Sequence, residues 1–579
     1  MAYPSLQQFL TQTLPKVQKP ARYVGGEINA VKKDWGQTQI KVLLAFPDAY
    51  EIGMSNLGIQ ILYALINQQT YALAERAFAP WPDMESELRQ AHLPLFSLES
   101  QRPAKDFNLF GFSMQHEMTY TNLLNMLDLA GLKARAADRA ETDPLIFAGG
   151  PSTLNPMPLS PFFDFMLIGE AEDAITEILE TVKINLNKSK ADKLAALSKI
   201  EGIFVPSLHS AGTKLATDVA AASQIVHMRK VKDLDTTLCL TKPLIPNLDV
   251  VHNRAVLEIM RGCKHACRFC QAGYTLKPVR ERTAEKLTQC AKELIDNTGY
   301  EELSLVSLNS SDYSKIEELA RHLADNLKKK KINIAFPALR LDSFSVNLIK
   351  NILKVRSSNL TVAPEAGSER LRQVIRKDLT EADILAGAQA AFAGGINALK
   401  LYFMIGLPTE TNEDVLAICD LARKILKVGK SVNPRARVTV NLSTFVPKPH
   451  TPFQWERQIT IEETLAKQNI IKQGLKKDRA IEIRWHNAEL SFLEGLLARG
   501  DAAAADLIEA AWASGARFDA WGDQFKFEPW QKAIETTKTD PNQYLRERNA
   551  DEKLPWDFVE VGVSKDTLIK ERNQAHTVN

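Results

Sequence analysis

Short apolar runs alternate with stretches of helical periodicity along most of the chain. IKVLLAFP (40–47), FNLFGFSM (107–114), PLIFAGGP (144–151) and FDFMLIGE (163–170) are nearly continuous in apolar residues and bounded by turn formers. That pattern predicts strands buried on both faces. Helices are expected over 56–67, over 121–130 with a stop at Gly131, and after Glu170. Strand–helix alternation of this kind predicts an α/β fold. Its first unit is a Rossmann-like, doubly wound domain over 1–185, preceded by a mixed polar lead-in. A ligand crevice is expected beyond the carboxyl ends of the strands, near 47–56, 115–119 and 149–152.

Residues 186–250 read as a connector, with a Lys-rich helix, an Ala-rich stretch and a Pro-rich approach. From 251 to 460 the alternation resumes. AVLEIMRG (255–262), LSLVSL (303–308), INIAFPALRL (332–341), NLTVAPE (359–365), ALKLYFMI (398–405) and RVTVNLSTF (437–445) predict six strands. Amphipathic helices lie between them, one through Leu287, Cys290, Ala291, Leu294 and Ile295, another through Val415, Ile418, Cys419 and Ala422. Six such units predict an open, partial (β/α)6 barrel whose reactive groups collect at the strand carboxyl ends. After 460 the strands are expected to stop, leaving a helical C-terminal domain over 461–579 that carries Trp512, Trp521 and Trp530.

Composition adds little to this picture. Lys plus Arg number 72 against 70 Asp plus Glu, so no global basic field argues for nucleic acid. Nothing at the start resembles a secretory signal, and no run of about 18 apolar residues predicts a membrane span. Six cysteines, three of them within eight positions, do not make a disulfide framework. They suit a reduced, cytoplasmic compartment with one metal site.

Those three, Cys263, Cys267 and Cys270, directly follow the first barrel strand. Thiolates are the usual ligands of iron–sulfur clusters. Three on one loop reach three irons of a [4Fe-4S] cube and leave the fourth open to a non-protein ligand. The alternative is zinc with His265 as a fourth ligand, which would crowd four donors into eight residues. Cys290 and Cys419 read as core residues, and Cys239 has no nearby partner.

RGCKHACRFCQAG resembles the cluster loop of the radical S-adenosylmethionine (SAM) superfamily, CxxxCxΦC, with Phe269 at the aromatic position. APEAGSERLRQVIRKDLT (363–380) is similar to the fourth-strand segment of cobalamin-associated members and of those like the Elongator catalytic subunit. The resemblance implies that Glu365 and Ser368 approach the ribose and methionine portions of SAM and that Arg376 faces its carboxylate. LYFMIGLPTET (401–411) looks like the fifth-strand segment, with Gly406 beside the adenine and Tyr402 replacing the usual leading glycine. NLSTFVPKPHTPFQW (441–455) resembles the sixth-strand segment. SLNSSDY (307–313) stands where the superfamily often has GGE, so Asn309 or Ser310 would meet the methionine amino group. The implied activity is reductive cleavage of SAM to a 5′-deoxyadenosyl radical that takes hydrogen from a substrate. The electron would come from a donor such as flavodoxin or ferredoxin.

FGFSMQHEMTYTNLL, IFAGGPSTLNP and FDFMLIGEAEDAITEIL together resemble the cobalamin-binding-like domain ahead of many radical SAM cores. Gly149 and Gly150 would let the backbone approach a ligand. The DxHxxG signature is absent, and His116 reads as a surface or hydrogen-bonded histidine, so any cobalamin would bind without that protein ligand. The whole chain resembles a bacterial family with this N-terminal domain, a radical SAM core and a distinctive tail. Some relatives continue into a further domain that this chain is expected to lack. Three narrower or competing functions stand beside the leading one. The first is a cobalamin-dependent methyltransferase. The second is an RNA-modifying enzyme. The third is a non-catalytic iron–sulfur or zinc protein. A methylthiotransferase would need an auxiliary cluster, and the first 238 residues hold no cysteine.

Overall fold

The computed structural model describes residues 6–209, 225–327, 330–335 and 359–578. Its first sheet contains β1 (Ile40–Phe46), β2 (Ala72–Phe78), β3 (Leu109–Ser113), β4 (Leu145–Gly149), β5 (Phe165–Leu167) and β6 (Ile203–Phe204), in the order β2-β1-β3-β4-β5-β6. The first five are parallel and β6 is antiparallel to β5. The sheet therefore reaches past the expected edge at 185. Apolar residues alone did not announce β2. It carries Glu75 and Arg76 inside, and Arg76 is fully buried between Glu27 at 2.8 Å and Glu99 at 2.7 Å. Burying a guanidinium is tolerable when both sides are matched by carboxylates.

Helices Leu57–Gln68 and Ala174–Ile184 cover one face of this sheet. The other face is covered by Tyr120–Leu129 together with Ala488–Ala498 and Ala504–Ala513 from the far end of the chain. The fold is thus doubly wound, as the alternation predicts, but half of one cover comes from the C-terminal part. Polar anchors fix that cover. Trp521 donates its indole N–H to Asp48 at 2.7 Å, and Asp519 accepts from the Thr121 hydroxyl at 2.7 Å and from the Trp530 indole at 3.2 Å.

The connector contributes helix Lys190–Leu197 and the short β7 (Val226–His227); its Ala-rich stretch lies outside the described residues. The barrel follows. β8 (Ala255–Glu258), β9 (Met260–Arg261), β10 (Arg280–Glu281), β11 (Glu302–Val306) and β12 (Asn333–Ala335) precede a stretch outside the described residues. β13 (Asn359–Glu365), β14 (Ala398–Ile405), β15 (Arg437–Thr444) and β16 (Ile481–Trp485) form one parallel sheet, and β12-β11-β8 another. Most of the expected strand over 332–341 falls outside the described residues; its start is β12.

Strands do not stop at 460: β16 pairs in parallel with β15. Its five residues show one buried and three exposed positions, so an edge strand left almost no apolar signal. β17 (Val559–Glu560) returns to pair with β7. Two long barrel helices carry capping boxes, Thr380 with Asp383 ahead of Glu381–Ala393 and Thr411 with Asp414 ahead of Asn412–Val432. Each satisfies two otherwise unpaired backbone donors.

Candidate active site

The three cysteines lie on a loop closed at its base by the antiparallel pair β9–β10, with Arg261 opposite Arg280. That base is clamped to the N-terminal sheet. Arg280 donates twice to Glu170, at 2.6 and 2.9 Å, while Arg261 pairs with Glu258 at 2.8 Å and with Glu172. The tip is clamped to the barrel and the tail. Phe269 packs against a cluster that includes Ala366, Phe445, Phe453 and Ala575, and the buried Arg268 donates to the Val374 carbonyl at 2.8 Å and to Glu571 at 3.1 Å.

All three thiols are half-buried, and none is in a disulfide. Burial pushes the Cys267 thiol up to about 11 and raises that of Cys270; the nearby Lys377 ammonium pulls both down, while Cys263 raises both and Cys270 raises Cys267. Clustered, poorly solvated thiols release their protons when they bind a metal centre, whose positive charge stabilises the thiolates in place of water. The donor set of three soft thiols suits an iron–sulfur cluster with one iron left open. His265 is engaged by Asp312 at 3.3 Å. Among the described residues, no three His, Cys, Asp or Glu side chains could hold a single metal ion.

Glu365, at the end of β13, sits where the β13–β14 register shifts and has a left-handed backbone (φ 67°). Its carboxyl is raised by burial, against the pull of Lys377, whose Nζ lies 3.3 Å away. Lys377 was missed in the sequence. It stands next to Arg376 in an ordinary-looking charged turn, and only the fold shows which of the two faces the cysteines. Arg376 instead pairs with Glu571 of helix Lys565–His576, so the carboxylate partner expected from a cofactor is supplied here by the chain.

Ser368 caps helix Glu369–Val374 and hydrogen-bonds Asp414. Asn309 and Ser310 are buried in the turn after β11. Ser310 Oγ lies 3.1 Å from Ser307 Oγ, and Asn309 accepts from Ser311 at 2.7 Å. Lys264 reaches that turn by donating to the Asp312 carbonyl at 2.6 Å. Gly406 follows β14 with φ 81°, and its N–H donates to Glu410 at 2.8 Å. A methyl group there would stand 2.6 Å from Ile459. The fold thus gathers the cysteines, Phe269, Glu365 and the Asn309–Ser310 turn around one loop, while Ser368 and Arg376 are tied to side chains of the protein. Cys239 does have a partner: its thiol and that of Cys290 hydrogen-bond each other.

Beside the loop lies a cavity of about 490 Å³ between the two sheets. Leu44, Phe112, Phe147 and Gly149 line it from the carboxyl ends of β1, β3 and β4; Met260, Gly262 and Ser307 line it from the barrel. This is the switch point between β1 and β3 where open α/β sheets bind ligands. A Cβ at Gly149 would make only ordinary contact there, with the Leu167 carbonyl at 3.9 Å. At Gly150, which also lines the cavity, a Cβ would meet the Met114 carbonyl at 2.6 Å, so that glycine admits a close approach of the protein's own backbone. His116 is exposed, accepts from the Met118 N–H at 3.2 Å, and does not line this cavity.

Residues 58–206 match the family described as radical SAM proteins, N-terminal, and residues 257–422 match the radical SAM superfamily. The chain belongs to the radical SAM superfamily. It is an enzyme of that superfamily, and its cofactors are a [4Fe-4S] cluster and SAM; the chemistry requires a reductant and a substrate. The chain is 27% identical to the uncharacterized protein MJ0966 of Methanocaldococcus jannaschii over 463 residues, 79% of this chain and 88% of that one. It is 23% identical to a tRNA-2-methylthio-N(6)-dimethylallyladenosine synthase of Hydrogenobaculum sp. (strain Y04AAS1), over 37% of this chain and 49% of that protein. Among solved structures, the cobalamin-dependent S-adenosylmethionine radical enzyme OxsB aligns with a TM-score of 0.49 at 11% identity, over 93% of this radical SAM chain and 79% of that one. The methyltransferase TsrM from Kitasatospora setae gives 0.48 at 12%, over 74% and 76%. Among the described residues, no helix is long and apolar enough to cross a membrane.

Proposed function

We propose that Cys263, Cys267 and Cys270 hold the cluster of this radical SAM enzyme and that its substrate is presented from the cavity beside Gly262. The observation that carries this reading is the cysteine loop itself. Three mutually close, half-buried thiols are clamped at the base to the N-terminal sheet and at the tip to the tail. When bound, the cluster and SAM supply one-electron cleavage of a carbon–sulfur bond and a carbon radical that removes hydrogen from substrate. The chain's own residues do the rest. Phe269 packs the loop tip and keeps solvent out; Glu365 and Lys377 set the charge beside the thiols. Asn309, Ser310, Ser368 and Gly406 border the space where SAM would lie, and Arg376 would serve a carboxylate only by exchanging Glu571 for it. The apolar wall of the cavity excludes water that would quench a radical. The electron donor is proposed to be a flavodoxin or ferredoxin in a reducing cytoplasm.

The test is anaerobic reconstitution followed by dithionite and SAM. Cluster absorbance with production of 5′-deoxyadenosine is expected, and each Cys→Ala variant should lose both. An intact cluster that produces none would refute the enzyme reading. A second reading places a corrinoid in the cavity, favoured by its position at the switch point of the N-terminal sheet. His116 is not available as its ligand. Absence of corrinoid absorbance after reconstitution with cobalamin would remove that reading.

A further inference from the structure

Three of the six cysteines lie outside the cluster loop, and their surroundings differ. Cys419 is 1% exposed, and its thiol donates to the Ile471 carbonyl at 3.8 Å. Cys239 and Cys290 face each other instead. Cys239 belongs to the connector and is half-buried against the core under the first barrel sheet, and Cys290 is part of that core. The two thiols hydrogen-bond each other.

Both sulfurs are carried on fixed backbone. Cys290 lies on the buried face of helix Ala284–Thr298, which Thr283 caps. The segment that carries Cys239 is strapped to the residues just before that helix. The Val231 carbonyl accepts from Arg280 at 2.6 Å. Arg282, 2% exposed, donates to the Thr237 hydroxyl at 3.0 Å, to the Leu238 carbonyl at 3.1 Å and to the Leu234 carbonyl. The Thr283 N–H donates to Asp235 at 3.0 Å. These bonds end at Leu238, and Cys239 follows on irregular backbone. Drawing two hydrogen-bonded sulfurs in to a bond of about 2.05 Å therefore needs a local shift of Cys239, not a movement of the helix.

The surroundings also favour a thiolate. The hydrogen bond from Cys239 pulls the Cys290 thiol down, with Lys286 and Arg282 assisting and burial opposing. The same bond raises Cys239, and burial adds to it. A thiolate beside a second sulfur is the arrangement that thiol–disulfide exchange uses, and the half-buried Cys239 gives an oxidant its point of entry.

We propose that Cys239 and Cys290 are a redox modification site, joined reversibly by exchange with a low-molecular-weight disulfide such as glutathione disulfide. One protein sulfur takes up half of the small disulfide and releases the other half as a thiol. The second protein sulfur then displaces the half still attached. One S–S bond breaks and one forms, and the two protein protons leave on two small thiols. The ring so closed spans about fifty residues, a length at which a cross-link strongly restricts the unfolded chain. It contains β8, the cysteine loop and β10. The oxidised pair thus braces the frame of the loop whether or not a cluster is present. Its value to the cluster rests on the radical SAM reading; the bond itself does not.

The test is peptide mapping of the full chain. The reconstituted chain is exposed anaerobically to excess glutathione disulfide, denatured, alkylated and digested. Cys239 and Cys290 should be recovered as one linked pair that dithiothreitol releases, with the other cysteines alkylated. A chain carrying Cys263→Ala, Cys267→Ala and Cys270→Ala should give the same pair, and its oxidised form should melt at least about 3 °C above its reduced form. Adding Cys239→Ser should abolish both the pair and the rise. Adding Cys290→Ala instead should halt Cys239 at a mixed disulfide with glutathione. Both thiols still alkylated after exposure, Cys239 halted at the mixed disulfide while Cys290 is present, or a linked pair with no rise in melting temperature would overturn the proposal. A natural chain that took up no cluster while the triple variant gave the pair would keep this site and lose the radical SAM reading instead.

Discussion

The turn after β15 holds a buried titratable group, and its pH dependence can be worked out. His450 is 6% exposed, and its Nε2 lies 2.9 Å from the Leu154 carbonyl, so the imidazole donates there and joins the barrel to the N-terminal domain. Burial lowers its pKa from 6.5 to about 4, the hydrogen bond to Leu154 opposing. A base depressed on folding keeps its stability contribution above the unfolded pKa and loses it as pH falls toward the folded one. The full shift corresponds to about 3 kcal/mol, and moving from about pH 7.5 to about pH 5 costs about 2 kcal/mol of it. Asp519 acts in the opposite sense. Burial raises its carboxyl from 3.8 to about 6, with the Thr121 and Trp530 hydrogen bonds opposing. The same acidification therefore returns about 1 kcal/mol through Asp519. The two largely mask each other in the natural chain. Asp519→Asn should expose the His450 loss as a drop of a few degrees in melting temperature between those pH values, followed by scanning fluorimetry under anaerobic conditions. Adding His450→Gln, which can still donate to Leu154, should flatten the profile. An unchanged acid loss in the double variant would show that His450 is not its source.

Gly406→Ala should destabilise the chain by about 2–4 kcal/mol, the sum of a left-handed backbone and a methyl pressed against Ile459. Ile459→Ala should relieve only the steric part, and complete rescue in denaturant melts would contradict the backbone contribution. Glu170→Gln should cost about 3 kcal/mol, because it leaves the buried Arg280 against a neutral amide; a melting temperature within a degree of the parent would argue against the clamp. Phe269→Ala should cost about 2–3 kcal/mol by removing the ring that packs against the cluster of Ala366, Phe445 and Phe453. It should also speed iron loss to a chelator, and an unchanged release rate would show that the ring does not secure the loop.

Much of this protein is legible from residue order alone. Strands such as 398–405 and 437–444 and the helix through Cys290 carry enough local apolar signal to be placed without tertiary information. The cysteine spacing, with Phe269 in its place, is equally local, because three ligands of one cluster must come from one short loop. Where the signal depends on partners far along the chain, the sequence is silent. β2 hides because Arg76 is neutralised by Glu27 and Glu99, and β16 hides because an edge strand needs little apolar character. Arg376 and Lys377 are adjacent and alike in charge, and only the approach of Glu571 decides that Lys377 serves the thiols. The C-terminal tryptophans read as part of a helical domain; the structure packs them with the helices that cover the first sheet, Trp521 on Asp48 and Trp512 on Asn125. The sequence thus determines the elements and the cluster loop, whose causes lie within a few residues of each other. Tertiary structure decides the charge balance around the thiols, since it joins Lys377 to cysteines about a hundred residues earlier and Arg376 to Glu571 still further on, and no local pattern encodes their mutual desolvation.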